Sequence, residues 1–148
     1  MSTYTQILYQ IVFSTRFREP TMIPVGREQL YQYIGGVLKN KNCHPYQVGG
    51  FSDHLHIITS LHPSISLADL IKDIKLSTTK HIKENRVFPY FNGWQDGYGA
   101  FTYGLDALDN LVRYVKNQEE HHKKKGSMDE YLELLQSHNI QYDLKYLI

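Results

Sequence analysis

The chain has 148 residues, of which 41% are hydrophobic and 21% are charged, and its formal net charge is +1. These values are ordinary for a globular protein and predict one domain over residues 1–148. The near-zero net charge excludes a uniformly basic nucleic-acid coat protein, so contacts with nucleic acid must come from local patches. The single cysteine, Cys43, excludes an intramolecular disulfide, and no apolar run approaches the roughly 20 residues that span a bilayer. We therefore expect a cytoplasmic protein that does not bind membranes.

The first half of the chain alternates between strand-like and helix-like patterns. In chain order the patterns predict a strand over residues 5–14, a loop over 16–24, a helix over 25–41 and strands over 45–51 and 54–61. The predicted helix contains two adjacent glycines, Gly35 and Gly36. Because glycine has no side chain, we expect another backbone to approach this helix closely.

Helix-like patterns dominate the second half of the chain. Ser66 and Ser127 begin sequences that resemble capping boxes, and Asp106 can cap a helix that starts at Ala107. In chain order we predict a helix over 66–84, a loop over 86–98, a strand over 99–103, and helices over 107–123 and 127–135. The order β-α-β-β-α-β, followed by two helices, predicts an α+β fold. We expect a ferredoxin-like split βαβ antiparallel sheet with helices on one face and extra C-terminal helices.

Two histidines, His54 and His56, stand one residue apart on a predicted strand. Residues i and i+2 of a strand point to the same face, so both imidazoles would project together while Leu55 points into a core. Neutral imidazole is a common ligand of divalent metals. The chain has eight histidines, however, so such a pair also arises by chance, with one ring packed and the other in solvent. The pair indicates a metal site but does not establish it.

Tyr114 and Gln118 are four residues apart in a segment with helical period, so their side chains share one face of a helix. A phenol with an ordinary pKa of about 10 is a poor nucleophile unless a metal or a base assists it. Gln118 could supply a neutral oxygen ligand. The alternative is a core or rim tyrosine followed by a solvated, charged helix end. Taken with the histidines, the pair suggests nucleophilic attack on a phosphodiester.

Four segments together resemble a known family. They are residues 9–15, residues 53–60 with the two histidines, residues 94–101, and residues 114–122. In this order they are similar to the single-tyrosine HUH transposases of the insertion-sequence 200/605 group and to their REP-associated relatives. The resemblance implies an enzyme that cuts and rejoins single-stranded DNA beside hairpins at the ends of a mobile element. It also implies a homodimer in which the tyrosine helix of one subunit can complete the partner's active site.

The resemblance also implies roles for particular residues. His54, His56 and Gln118 would hold Mg²⁺ or Mn²⁺, and Tyr114 would attack the scissile phosphate. The products would be a 5′-phosphotyrosine and a free 3′-hydroxyl. Asp53 could orient a ligand histidine, although a plain turn residue is an equal alternative.

Contacts with DNA are expected from cationic and aromatic side chains. Lysines could follow the phosphate backbone, and the indole of Trp94 could stack on an unpaired base. A solvated helix face and a buried aromatic core are the alternatives. The candidate lysines are Lys72, Lys75, Lys80, Lys83 and Lys116.

Three other functions compete with a transposase. Another HUH nuclease, such as a replication initiator or a relaxase, often carries a second catalytic tyrosine, and none stands one helical turn from Tyr114. A domesticated module could bind hairpins without cutting them. A generic metal-dependent hydrolase would not need Tyr114. The sequence therefore favours the transposase.

Overall fold

The computed structural model describes residues 2–122 and 125–147. Within these ranges the chain forms four strands and five helices, joined by short 3-10 turns and loops. In chain order they are β1 Leu8–Ser14, α1 Pro24–Asn40, β2 Pro45–Gly50, β3 His54–Ser60, α2 Leu67–Asn85, β4 Gly99–Thr102, α3 Leu108–Lys116, α4 Gln118–His122 and α5 Ser127–Ser137. No helix in these ranges is long and apolar enough to cross a membrane.

The four strands form one antiparallel sheet in the order β2-β3-β1-β4. Strands β1 and β3 lie at its centre, and Ile11 of β1 pairs with Ile57 of β3 on one side and with Ala100 of β4 on the other. In this order α1 crosses over β3 to connect β1 with β2, and α2 crosses over β1 to connect β3 with β4. This is the ferredoxin-like arrangement. The predicted order of the first six elements and the predicted fold class are therefore confirmed.

One face of the sheet carries the larger apolar core. Alternate residues of β1 and β3, such as Phe13 and Leu55, point to this face and pack with buried residues of α1 and α2, such as Leu30 and Ile74. The alternation is the period-2 pattern that the sequence predicted for the strands. Burying this face fixes the strand register, because a shift by one residue would turn the core outward.

The opposite face is covered by α3 and α5, which pack there in two separate apolar clusters. One cluster joins Leu8 and Ile58 of the sheet to Leu111 and Val115 of α3. The other contains Val12, Phe101, Tyr131 and Leu135. Polar residues of the central strands, His54 and His56 among them, point to this second face. The C-terminal helices thus bury a polar centre between apolar contacts.

The helix expected over 107–123 differs from the observed structure. A 3-10 turn, Leu105–Ala107, precedes α3, and Asp106 lies inside that turn rather than at the N-cap, which is Ala107. The helix then breaks at Asn117, so α4 starts afresh at Gln118. The predicted end at Lys123 lies outside the described residues.

The two expected capping boxes have different outcomes. Ser66 is the N-cap of α2 and accepts a hydrogen bond from the Asp69 backbone nitrogen at 3.1 Å, so the predicted cap at Ser66 is confirmed. The box at Ser127 is wrong, because Gly126 is the N-cap of α5. The Ser127 hydroxyl donates instead to the Asp53 carboxylate at 2.9 Å. This hydrogen bond ties the start of α5 to the turn before β3.

A glycine of β2, Gly49, permits a close contact between a helix and a strand. The sequence suggests such a contact at Gly35 and Gly36 instead. A β-carbon on Gly49 would lie 2.7 Å from the Val115 carbonyl oxygen, so α3 can pack against β2 only because this residue is glycine. At Gly35 and Gly36 a β-carbon would meet nothing within 4 Å among the described residues. The expected close approach of a backbone to α1 is therefore wrong.

We expect Gly49→Ala to lower the free energy of unfolding by about 1–3 kcal/mol, the usual cost of overpacking, because the new methyl group would overlap the backbone of α3. Gly35→Ala is the matched control. It should raise stability by about 0.5–1 kcal/mol, since alanine favours the helix and has space there. Chemical denaturation measures both values, and equal effects of the two substitutions would contradict the close contact.

Candidate active site

The two histidines of β3 point together into the buried face beneath the C-terminal helices. His54 and His56 are 2% and 0% exposed, and their ring centroids lie 5.1 Å apart. Leu55 points to the opposite face and joins the larger core. The period of the strand thus places both imidazoles in one protected site.

Tyr114 and Gln118 reach the same place from α3 and α4. The Gln118 side-chain oxygen lies 3.0 Å from His54 Nε2, and Gln118 is 1% exposed. The Tyr114 ring packs edge-on against His56 at 5.8 Å between centroids. The structure therefore brings together all four residues of the catalytic and metal-binding prediction, although a helix break separates Tyr114 from Gln118.

Two further residues, His122 and Glu130, complete this centre, and neither was singled out from the sequence. Glu130 Oε1 lies 2.9 Å from His56 Nε2 and 3.1 Å from His122 Nε2, while Oε2 accepts a hydrogen bond from the Tyr114 hydroxyl. The potential ligand atoms of His54, His122 and Glu130 all lie within 4.8 Å of one another, so the group could hold a metal ion.

The sequence carries a signal for each of these two residues. His122 stands one helical turn beyond Gln118, so the periodicity that linked Tyr114 to Gln118 also extends to it. Glu130 lies beside Tyr131 and four residues before Leu134, on the apolar stripe of α5. A carboxylate on a buried stripe is uncommon unless it has partners.

Each of the three imidazoles is held at Nδ1 by an acceptor outside the centre. His54 Nδ1 donates to Asp53 Oδ1 at 2.8 Å, and His122 Nδ1 donates to the Lys125 carbonyl at 2.6 Å. His56 Nδ1 faces the side-chain oxygen of Gln10 at 2.8 Å. These partners turn every Nε2 toward the centre, as outer partners do for metal-binding histidines. Asp53 thus lies where the sequence-based hypothesis of an orienting residue requires.

The buried charges strongly perturb one another. Burial alone would lower the pKa of His54, but hydrogen bonds to Asp53 and Glu130 outweigh it and raise the pKa to about 9. Burial lowers the pKa of His56 to about 4. Burial would raise the pKa of Glu130, yet hydrogen bonds from His122, His54 and His56 hold it well below its ordinary value. At neutral pH the centre therefore contains a carboxylate beside a protonated His54 and a neutral His56.

The phenol of Tyr114 is controlled by the same carboxylate. Burial, together with the hydrogen bond to negatively charged Glu130, raises the pKa of Tyr114 above its ordinary value. In this state the hydroxyl keeps its proton and points at Glu130. Loss of the Tyr114 proton therefore requires a change in the charge around Glu130.

An open groove of about 1050 Å³ runs along the outer side of Tyr114. Its walls contain Arg113 and Asn117 from the tyrosine helix region, and His121 and Lys125 from beyond it. The walls also contain Glu120 and Asp129, so the groove is polar and carries charges of both signs. A strand of DNA could reach Tyr114 here without entering the buried centre.

Four of the five lysines expected to contact DNA are exposed. Lys116 lies at the end of α3, two residues after Tyr114. The other three lie on α2, which covers the sheet face opposite the histidines. These are Lys72, Lys80 and Lys83. The sheet therefore separates them from the candidate active site.

Lys75 and Trp94, also expected to contact DNA, have partners inside the protein. The Lys75 ammonium donates to the carbonyl oxygens of Gln95 and Gly97, each at 2.8 Å, and thereby ties the loop before β4 to α2. Trp94 is 5% exposed and donates to the Thr78 hydroxyl at 2.9 Å. The indole packs in the larger core and has no open face for a base.

Comparison with known proteins identifies the family. The sequence model of the family described as IS200-like transposases matches residues 3–118, which include the two histidines, Tyr114 and Gln118 but end before His122 and Glu130. No curated protein matches the chain.

Two solved structures have a similar fold. A candidate transposase from Deinococcus radiodurans R1 has a TM-score of 0.62 and 15% identity, covering 80% of this chain and 95% of its own. A REP-associated tyrosine transposase bound to a REP hairpin has a TM-score of 0.60 and 16% identity, covering 82% and 74%. At these identities the likeness concerns the fold.

We expect the stability of the protein in chelator to fall as the pH rises from about 6.5 to about 9. Folded His54 has a pKa of about 9, whereas an unfolded histidine titrates near 6.5. The folded state therefore keeps a proton that the unfolded state has released. The resulting stability is fully present below about pH 6.5 and is lost as the pH approaches the folded pKa.

Thermal unfolding at several pH values in chelator measures this decline. Asp53→Asn should flatten it, because the carboxylate that helps to raise the pKa of His54 is removed. Asp109→Asn, on the exposed side of α3, is the matched control and should leave it unchanged. A wild-type stability that rises over this pH window would refute the assignment.

Proposed function

The chain belongs to the family of IS200-like transposases, and on that basis we propose that it cuts and rejoins single-stranded DNA at the ends of a mobile element. One observation carries the proposal. Tyr114 lines an open polar groove, and its hydroxyl donates to Glu130 of a buried centre that also contains His54, His56 and Gln118. The proposed nucleophile thus joins a groove open to a substrate and a candidate metal centre.

In the proposed reaction, the Tyr114 oxygen attacks the phosphorus of the scissile phosphodiester. The bond from phosphorus to the 3′ oxygen breaks, the phenol loses its proton, and the leaving 3′ oxygen gains one. The product is a 5′-phosphotyrosine and a free 3′-hydroxyl. Because the phosphotyrosine keeps the bond energy, the 3′-hydroxyl of another strand can reverse the step and join DNA without ATP.

We propose that His54, His56 and Gln118 hold Mg²⁺ or Mn²⁺. The residues fit a divalent ion, because two imidazole nitrogens and an amide oxygen converge beside a carboxylate in a site from which water is largely excluded. When bound, such an ion polarises the phosphate and stabilises charge that develops on it. Asp53 orients His54 through the hydrogen bond to its Nδ1.

The proposed substrate is single-stranded DNA next to a hairpin. The solved REP-associated transposase is bound to a REP hairpin, and we propose a ligand of the same kind here. Arg113 would contact phosphates beside Tyr114 in the groove. Lys116 and the exposed lysines of α2 would contact more distant phosphates. Lys75 and Trp94 are left out of the proposed interface because their polar groups are bonded within the protein.

A homodimer is the proposed assembly. In the described chain, however, Tyr114 lies against His56 of the same chain. Each subunit would therefore have a complete set of catalytic residues without exchanging the tyrosine helix. Light scattering measures the mass, and mixing inactive His56→Ala with inactive Tyr114→Phe subunits tests for sharing, since only a shared site would restore activity.

A hairpin-binding module that does not cut DNA is the second candidate function. The hydrogen bond from Tyr114 to Glu130 favours it, because this bond holds the phenol in its protonated form. The two functions differ in whether a covalent product forms.

We expect Tyr114→Phe to abolish a covalent protein–DNA adduct while hairpin binding is retained, because the substitution removes only the nucleophilic oxygen. Oligonucleotides that cover the DNA flanking the gene would be incubated with Mn²⁺ and the protein, denatured in detergent and resolved by size. Tyr90→Phe, on an exposed loop far from the centre, is the matched control and should form the adduct normally.

An adduct with Tyr114→Phe would disprove the assignment of the nucleophile. Hairpin binding by the wild-type protein without any adduct would favour the binding module. If the wild-type protein neither binds any flanking sequence nor forms an adduct with it, both functions are contradicted.

A further inference from the structure

We infer that His122 and Glu130 bind the same divalent ion as His54, His56 and Gln118, and that this set of five ligands favours Mn²⁺ over Mg²⁺. The inference rests on the proposed function, because it extends the metal site proposed there. It adds two residues that lie beyond the part of the chain matched by the family, which ends at residue 118.

The spacing of the five atoms is the first argument. Gln118 Oε1 lies 3.0 Å from His54 Nε2 and 2.9 Å from His122 Nε2. Glu130 Oε1 lies 2.9 Å from His56 Nε2, 3.1 Å from His122 Nε2 and 3.4 Å from His54 Nε2. Neighbouring ligands of an octahedral ion with bonds of about 2.1 Å are about 3.0 Å apart. These five pairs are therefore spaced like adjacent ligands of one ion, and the ligand atoms of His54, His122 and Glu130 all lie within 4.8 Å of one another.

The direction of the lone pairs is the second argument. Each imidazole has an acceptor at Nδ1, so each Nε2 faces the centre. A proton held at Nε2 would leave when an ion binds, because metal ligands bind in their deprotonated form. Gln118 donates its NH₂ group to Glu130 Oε2 at 3.2 Å, which leaves its Oε1 facing His54 and His122. With those protons released, five lone-pair atoms would face one another, and a cation between them would satisfy all of them at once.

His122 has the same kind of support as the two histidines of β3. Its Nδ1 is fixed by the Lys125 carbonyl, and its ring packs edge-on against His54 at 4.4 Å between centroids. The side chain is 2% exposed. A solvated histidine at the end of a charged helix would have neither the fixed Nδ1 nor this burial, so the arrangement is that of a ligand.

Glu130 connects the ion to the nucleophile. Its Oε1 faces the three imidazoles, while its Oε2 accepts the hydrogen bond from the Tyr114 hydroxyl. One carboxylate can therefore hold an ion on one oxygen and the phenol on the other. Glu130 is in this sense a positioning residue for Tyr114, and the metal site and the tyrosine helix are joined through α5.

The choice of metal follows from the ligand types. Mg²⁺ prefers oxygen ligands and keeps several waters, whereas imidazole nitrogen suits transition-metal ions. Three imidazoles with one carboxylate and one amide oxygen therefore favour Mn²⁺ among the two ions proposed. The set leaves about one position of an octahedral ion for a substrate oxygen or water.

A direct binding measurement on the full chain tests the inference. The protein is freed of metal with a chelator, exchanged into buffer and titrated with Mn²⁺, while free Mn²⁺ is followed by electron paramagnetic resonance. We expect one Mn²⁺ per chain and a weaker, competing interaction with Mg²⁺. Glu130→Gln and His122→Ala should each raise the Kd for Mn²⁺ at least about tenfold, the low end of the effect of losing even an outer partner.

Matched controls separate a lost ligand from a general effect. Asp129→Asn changes the exposed neighbour of Glu130 on α5, and His62→Ala removes a histidine that contacts Ser64 outside the centre. Both should bind Mn²⁺ like the wild type. Circular dichroism and thermal unfolding in chelator establish folding. If Glu130→Gln does not fold, Glu130→Asp keeps the charge, withdraws the oxygen and should still raise the Kd.

The outcomes distinguish this inference from the proposed function. Wild-type Mn²⁺ affinity in both Glu130→Gln and His122→Ala, with binding lost in His54→Ala, would overturn the inference and leave the three-ligand site intact. Wild-type affinity in His54→Ala as well would contradict the metal site of both. Tighter binding of Mg²⁺ than of Mn²⁺ would overturn the proposed selectivity.

Discussion

The buried carboxylate of Glu130 is the group on which the arrangement of the site depends. A carboxylate that loses water is strongly unfavourable unless charged or polar groups surround it. Here the partners come from three different parts of the chain: histidines of β3, His122 of α4 and the Tyr114 hydroxyl of α3. Removing one partner would leave Glu130 and its remaining partners buried with fewer hydrogen bonds to offset the loss of water. The stabilities of β3, α3 and α5 are therefore energetically coupled. The two apolar clusters on either side exclude water and strengthen each of these interactions.

The sheet supplies the rigid half of this centre. Antiparallel pairing places Val12 of β1 opposite His56 and Gln10 opposite Ile58. Gln10 and His56 are therefore diagonal neighbours on one face, within reach of a hydrogen bond. The central strands thus fix one histidine and its outer partner together, while the Asp53 turn fixes the other. The helices bring Gln118, His122 and Glu130 to a site whose orientation is already set.

Periodicity explains why part of the site could be predicted from the sequence. The period of a strand places His54 and His56 on one face, and the period of a helix does the same for Tyr114 and Gln118. Glu130 could not be placed in this way, because it lies 74 residues from His56 and meets it only when α5 folds back over the sheet. The sequence predicts DNA contacts for Trp94 and Lys75, and this prediction also fails because of contacts between distant parts of the chain. Local sequence does not reveal that the indole completes the core or that the ammonium binds loop carbonyls.

The C-terminal helix therefore determines both how the site closes and how Tyr114, the proposed nucleophile, is held. Tyr131 and Leu135 anchor α5 against Val12 and Phe101, and the neighbouring residue Glu130 is carried into the centre by the same packing. The Ser127–Asp53 hydrogen bond links this helix to the outer partner of His54. A phosphate that approaches Tyr114 from the groove meets a hydroxyl already bound to Glu130. An ion on the other carboxylate oxygen of Glu130 would withdraw charge from that bond and weaken it. Because the packing of α5 positions Glu130, the same packing determines how readily the Tyr114 hydroxyl can be released.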